Sequence, residues 1–370
     1  MTPRWFFAAW LLWLWAWTTP VQATDEAAPL SQTNRMWRLA AQEQATLEQR
    51  GIVLQDVSLS RYLQAVAERL WQQVHTDLSP PAFKVIADPR LEAYAYPNGY
   101  CYLTTGILAQ MENEDQLAMI LAHEMVHYAR QHTVLLYDHF QRPVPETGLP
   151  YADQNQAAGR QAIEEKIDAA EYQADQEGLS ILKGAGYCEA AVLTLMSNLI
   201  HSMQDQGHPA AVRRLKKRAI FFNMLLGQDH GRSSCTSATH SDHEFFLHRI
   251  APALMANAQA AVQRGDWNQA DGSASKFLVV KPDDARAYYL KGEILRRRND
   301  GLYKNQCVEF YEKALKIDPK FPLAHRALGE LHFKAGRYQM AKPYFEAFLS
   351  LAPQDDAREY IKGYLRQCLN

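Results

Sequence analysis

The stretch LAHEMVHYARQH, Leu121 to His132, sets His123 and His127 four residues apart with Glu124 directly after the first. An α-helix turns about 100° per residue, so the two imidazoles lie on one face, one turn apart, at the separation two ligands of one cation require. Glu124 is one step round, within reach of a water on that cation. The segment is otherwise apolar, and two unligated imidazoles beside a carboxylate would carry a desolvation cost with nothing to offset it. A zinc site is therefore favoured over histidines on a solvated face. A catalytic zinc takes three protein ligands and keeps a fourth position for water, so one more ligand is needed. His132 and His139 read as surface residues.

The setting of this stretch is legible on both sides. Asn113, with Gln116 three positions on, starts the helix as a capping box, and the periodicity carries it to about Tyr137. Upstream, Leu63, Val66, Leu70 and Val74 recur at helical steps within a region from about Ser31 to Thr76 that Pro80 and Pro81 close. FKVIADPRLEAYAYPNGYCYLTTGIL, residues 83–108, alternates apolar and polar residues, with PNG between aromatic-rich runs, and reads as strands joined by a turn. Downstream, HFQRPVPETGLPYADQNQAAGR, covering the 140–160 region, reads as a long surface loop, a lid or a plain connector.

The third ligand is sought on the next strong helix, about Gln161 to Leu182. EKIDAAEYQADQEG offers Glu171, with Asp175 one turn later on the same face and small Ala174 permitting close helix approach. Asp175 would accept a hydrogen bond from a ligand imidazole and fix its tautomer. Glu164, Glu165, Asp168 and Glu177 remain competitors that spacing alone does not exclude. Helices follow over Glu189 to about Met203 and over RRLKKRAIFFNMLL, 213–226. That basic run reads as a solvated face, because no aromatic or glycine pattern of nucleic-acid binding accompanies it.

Bulk properties narrow the class. The chain has 370 residues, enough for two domains, and 39 Lys plus Arg stand against 41 Asp plus Glu. So near a balance gives no global field for gripping nucleic acid or anionic lipid. Arg4, the apolar run Trp5 to Trp17 and the small residues ending at Ala23 read as a cleavable signal peptide, residues 1–23, because the run is shorter than the roughly 20 residues a membrane span needs. Export places the mature chain in an oxidising compartment, where Cys101, Cys188, Cys235, Cys307 and Cys368 could pair, leaving at least one free.

Past Arg249 the texture becomes repetitive. Pro282, Pro319 and Pro353 each close an amphipathic helix, and the last two lie 34 residues apart, the period of a tetratricopeptide unit. Leu328, Gly329, Ala341, Phe345 and Pro353 occupy the packing positions of the final unit; Gly292, Tyr311, Ala314 and Pro319 keep those of the one before. A unit near Ala258 to Pro282 is degenerate, and Asp355 to Leu369 would be the solvating cap. Such hairpins stack because one alone cannot bury its apolar face.

HEMVH, EYQAD and AYAYPNGYCYLTTGIL together resemble the zinc motif, third-ligand motif and active-site strand of the HtpX-related peptidases, and the C-terminal repeats resemble those of the BepA-like periplasmic branch. The resemblance implies a mainly α fold with a small β-sheet (α+β): a gluzincin metallopeptidase domain, 24–250, followed by an α-solenoid of TPR helix pairs, 251–370. It implies one Zn2+ held by His123, His127 and Glu171, with Glu124 as general base. In that family a later His-Pro pair, with an arginine six residues after the histidine, returns to the site. Here GHPAAVRRL offers His208 and Arg214, while THSDHEFFLHRI offers His243 and Arg249 without the proline. The second is preferred, with Arg249 expected to stabilise the oxyanion.

The expected function is a periplasmic zinc endopeptidase. Its substrates would be unfolded or misassembled envelope proteins, paired in extended form along the strand at Tyr96, Asn98, Gly99 and Tyr100. The repeats would bind clients or outer-membrane assembly machinery, with peripheral membrane association left open and no nucleic-acid role. The alternative is a TPR-based periplasmic chaperone or adaptor with blocked or vestigial proteolysis.

Overall fold

The computed structural model describes residues 32–134, 152–228, 242–298 and 304–369. The expected signal peptide, Cys235, His139 and most of the Pro-rich loop lie outside the described residues. The helices are α1 (Gln32–Gln49), α2 (Val57–Trp71), α3 (Thr105–Gln110), α4 (Glu114–Ala129), α5 (Ala152–Gly184), α6 (Ala191–Asp205), α7 (Pro209–Gln228), α8 (His243–Arg264), α9 (Trp267–Val280), α10 (Ala285–Arg298), α11 (Lys304–Ile317), α12 (Pro322–Lys334), α13 (Tyr338–Leu351) and α14 (Arg358–Gln367). The strands are β1 (Ala82–Ile86), β2 (Ala93–Ala95) and β3 (Tyr100–Thr104). The fold is thus mainly helical with one small sheet. No helix among the described residues is long and apolar enough to cross a membrane.

β3 is the middle strand, parallel to β1 and antiparallel to β2. Its Cys101, Tyr102 and Leu103 are fully buried. The outer side of β1 is closed by a bridge from Val53 to Ile86, which leaves β2 as the open edge among the described residues. The expected substrate strand is therefore placed differently. Tyr100 pairs with Ala82 inside the sheet, the Tyr96 N–H donates to the Tyr100 carbonyl at 2.7 Å, and Asn98 donates to Gln44 of α1 at 3.1 Å. That segment closes a hairpin, with Gly99 at φ +84° as the turn demands.

α4 is the central helix. Asn113 caps it by accepting from Gln116 N–H at 3.0 Å, and Gln116 Oε1 accepts from Glu112 N–H at 2.8 Å. Every residue from Asp115 to Tyr128 is buried, so the helix is enclosed on all sides rather than amphipathic. α5 crosses it where small residues permit. Ala174 has no exposed surface, and a Cβ on Gly178 would meet the His123 backbone nitrogen at 3.3 Å. α5 also begins at Ala152, some way before the expected Gln161.

The expected boundary at residue 250 falls inside α8, which runs unbroken from His243 to Arg264. One hydrophobic core runs from Leu59 and Leu121 through Leu254 and Phe277 to Leu290 and Ile294. A buried polar chain reinforces this junction: Thr105 Oγ1 donates to Asn257 Oδ1 at 3.1 Å, and Asn257 Nδ2 donates to Ser273 Oγ at 2.8 Å. Lys276 of α9 donates to the carbonyl of Ala109 at the end of α3, at 2.6 Å. Beyond this root the repeats pack as the period implies. A Cβ on Gly292 would meet the Tyr311 ring at 2.5 Å, and one on Gly329 the Phe345 ring at 2.6 Å, so each hairpin closes small residue against large. Cys188 is disulfide-bonded, whereas Cys101 and Cys368 are free thiols and buried.

Candidate metal centre

α4 and α5 deliver three candidate ligands to one point. His123 Nε2 and His127 Nε2 face each other at 3.0 Å, Glu171 Oε2 lies 3.5 Å from the first, and Glu171 Oε1 lies 3.5 Å from the second. Among the described residues this trio forms a group of metal-ligating atoms all within 4.8 Å of one another. Ligands bound tetrahedrally at about 2.0–2.1 Å lie roughly 3.3 Å apart, so the three separations fit one zinc ion. The donor set, two imidazole nitrogens and a carboxylate oxygen, is that of a catalytic zinc site.

The surroundings tune each group. His123 Nδ1 lies 3.1 Å from Asp175 Oδ1, so its Nδ1–H donates there and Nε2 is the nitrogen turned to the centre. Burial and the Arg218 charge act against a proton on His123, but hydrogen bonds to Asp175 and Glu171 hold it up to about 9. His127 goes the other way, pushed down to about 3 by burial and by His123. Glu171 stays ionised against its burial because His123 and Arg218 hold it low. Glu124, 5% exposed, is raised to about 7 chiefly by burial, with Glu171 adding repulsion. Its charge also helps, after burial, to push up the Cys101 thiol of β3, so the sheet lies alongside the site.

The arginine at this cluster is Arg218, not Arg249. Arg218 Nε donates to Asp175 Oδ2 at 2.8 Å, its Nη2 to Asp175 Oδ1, and its Nη1 lies 3.2 Å from Glu171 Oε2. His243 instead donates from Nδ1 to the Glu112 carbonyl at 2.7 Å, and Arg249 lies 4.7 Å over the Phe245 ring and 5.7 Å over Tyr62. Both are engaged outside the trio because the helix carrying them packs on α2 and α3. The rival His208 segment leads into the helix that does reach the site. His208 itself sits in the turn before α7, its N–H bonded to Met203 O, and Arg214 feels Asp168 and Glu171.

Two residues of the site were read otherwise from the sequence. Arg218 belongs to the basic run taken for a solvated face, yet it falls in the inward-facing stripe of α7 marked by buried Ala211, half-buried Leu215 and buried Phe222, and that position within an apolar stripe was the available signal. His132 is only 5% exposed, and its Nδ1 lies 3.0 Å from His127 Nδ1. Glu177, one of the competing acids, is committed to Arg130 at 2.8 Å.

Comparison with known proteins finds matches in both parts of the chain. Peptidase family M48 matches residues 58–140, which include the His123–His127 pair, and tetratricopeptide repeat families match residues 255–320 and 322–355. The chain thus carries an M48 peptidase domain followed by C-terminal tetratricopeptide repeats. It is homologous to the beta-barrel assembly-enhancing proteases: that of Escherichia coli (strain K12) is 23% identical over 43% of this chain and 36% of the relative, and that of Yersinia pestis is 23% identical over 42% and 34%. The match spans about a third of the curated relatives' length. Among solved structures, MamA is similar at 16% identity over 46% of this chain and 92% of that one, with a TM-score of 0.26, which adds nothing to the fold described above.

Proposed function

We propose that this chain is a zinc-dependent endopeptidase of envelope protein quality control. The observation that carries the reading is the convergence of His123, His127 and Glu171, with Glu124 buried beside them. These three would hold a zinc ion, which when bound supplies Lewis acidity to polarise a peptide carbonyl and acidify water. Glu124 takes the proton of the attacking water and returns it to the leaving amine, a role that its value of about 7 suits at neutral pH. Asp175 orients His123. Arg218 keeps Asp175 and Glu171 ionised and fixed, so the carboxylate presented to the centre does not take up the proton itself.

The substrate is an extended segment of an unfolded or misassembled protein, laid along the open edge of β2, which packs against α4. The repeats, rooted in the peptidase core, present clients or dock on outer-membrane assembly machinery in the periplasm, a role supported by the similarity to the beta-barrel assembly-enhancing proteases. The retained Glu124 weighs against a vestigial peptidase. Zinc content by mass spectrometry together with casein cleavage tests the reading. Wild type should hold one zinc and cleave, and Glu124→Gln should hold zinc and fail to cleave; equal cleavage by the two rejects it.

A further inference from the structure

We propose that His132 and Gln173 form a positioning relay that sets the tautomer of His127 and so its affinity for metal; the inference rests on the zinc reading above. A chain of hydrogen bonds fixes each donor in turn. Arg130 holds Glu177 through Nε at 2.8 Å and through Nη2 at 2.7 Å. Glu177, an acceptor only when ionised, takes the Gln173 amide N–H at 2.8 Å. The amide orientation is thereby decided, and Gln173 Oε1 is left facing His132 Nε2 at 3.2 Å. A carbonyl oxygen accepts, so His132 carries its proton on Nε2.

His132 Nδ1 is then an acceptor, and the nitrogen 3.0 Å from it is His127 Nδ1. His127 must donate there, which places its single proton on Nδ1 and leaves Nε2 bare toward His123 and Glu171. A neutral imidazole binds metal through its unprotonated nitrogen, and the hydrogen bond at the other nitrogen decides which one that is. Asp175 does this for His123. The second ligand has no carboxylate at that place, and a histidine backed by an amide performs the same task with no added charge. The T-shaped rings, 5.0 Å between centroids and 77° between planes, also fix the His127 plane.

Zinc affinity of the full chain by chelator competition, with thermal unfolding of the zinc-free forms as a folding control, tests the relay. The amide oxygen of an asparagine side chain can replace Nδ1 of His132 as acceptor, and a leucine side chain cannot. His132→Asn should therefore bind zinc near the wild-type affinity, while His132→Leu should bind about ten- to a hundredfold more weakly. Equal affinity of wild type and His132→Leu overturns the proposal, as does equal weakening by both variants. Should His132→Leu fail to fold, exposed Gln173→Leu replaces it, with nitrogen chemical shifts of the zinc-free wild type reporting the His127 tautomer. A proton on Nε2 rejects the relay. A wild-type chain that takes up no zinc rejects both this and the peptidase reading, whereas a zinc-loaded His132→Leu of unchanged affinity rejects the relay alone.

Discussion

Arg218 grips Asp175 with two parallel hydrogen bonds, Nε to Oδ2 at 2.8 Å and Nη2 to Oδ1, and Asp175 has no exposed surface. Neither charge is tolerable there alone. Removing one partner of a buried pair leaves an uncompensated charge and costs about 3–5 kcal/mol. Arg218→Met should therefore lower the stability of the zinc-free protein by that order in urea denaturation, and adding Asp175→Asn should recover part of the loss. A change under about 1 kcal/mol for the single variant would show that the pair contributes little.

The activity should carry an acid limb set by Glu124. A base must be charged to accept a proton, and this carboxyl is raised to about 7 by burial, so kcat/KM should fall as pH drops below that value and level off above it. A cation at the trio favours the charged form and moves the limb lower. Glu124→Gln should lose about a hundred- to ten-thousandfold in kcat/KM and show no such limb. Its presence in that variant would assign the titration to another group.

Acid should loosen the repeats through Glu293. This side chain accepts from Arg296, Arg297 and Tyr311, and these partners hold its pKa low despite burial. A carboxyl lowered by folding contributes stability that is present above its unfolded value, about 4.3, and is lost as pH falls through the lower folded value. The thermal midpoint of wild type should thus drop more steeply below about pH 4 than that of Glu293→Gln, which should already be lower at pH 7. Parallel curves would remove Glu293 from the account.

Much of this was readable in the chain. The His123 and His127 pair follows from helical geometry and the glycine–aromatic pairs from the 34-residue period, while the shared face offered Glu171 and Asp175 without excluding the neighbouring acids. What escaped was decided across space. The six-residue step does not find the arginine at the centre: Arg214 and Arg249 both satisfy it, whereas Arg218 lies ten residues after His208 and is brought to Asp175 by the packing of α7. His132 lies five residues beyond His127, off the ligand face, and its burial depends on the approach of α5. The open edge passed from Tyr96–Tyr100 to β2 because a parallel partner, β1, occupies the other side of β3.

Glycine at the repeat contacts should be replaceable only where space exists. Gly329→Ala gains up to about 1 kcal/mol in helix propensity but drives a methyl to 2.6 Å from the fully buried Phe345 ring, and overpacking of that kind costs about 1–3 kcal/mol. The net should be a lower thermal midpoint. Gly272→Ala, also helical and with nothing within 4 Å of the added carbon, should be neutral or stabilising. An unchanged midpoint for Gly329→Ala would mean that the ring yields freely.

The apolar mass that runs through α8 and α9 into Leu290 and Ile294 makes the first hairpin of the repeat array a wall of the peptidase. Severing the chain at residue 250 would cut a helix in half and strip Leu254, Ala258 and Phe277 from their neighbours, so the catalytic half should not survive excision as a soluble fragment. The outer repeats, correspondingly, grow from a base anchored in the same body as α4.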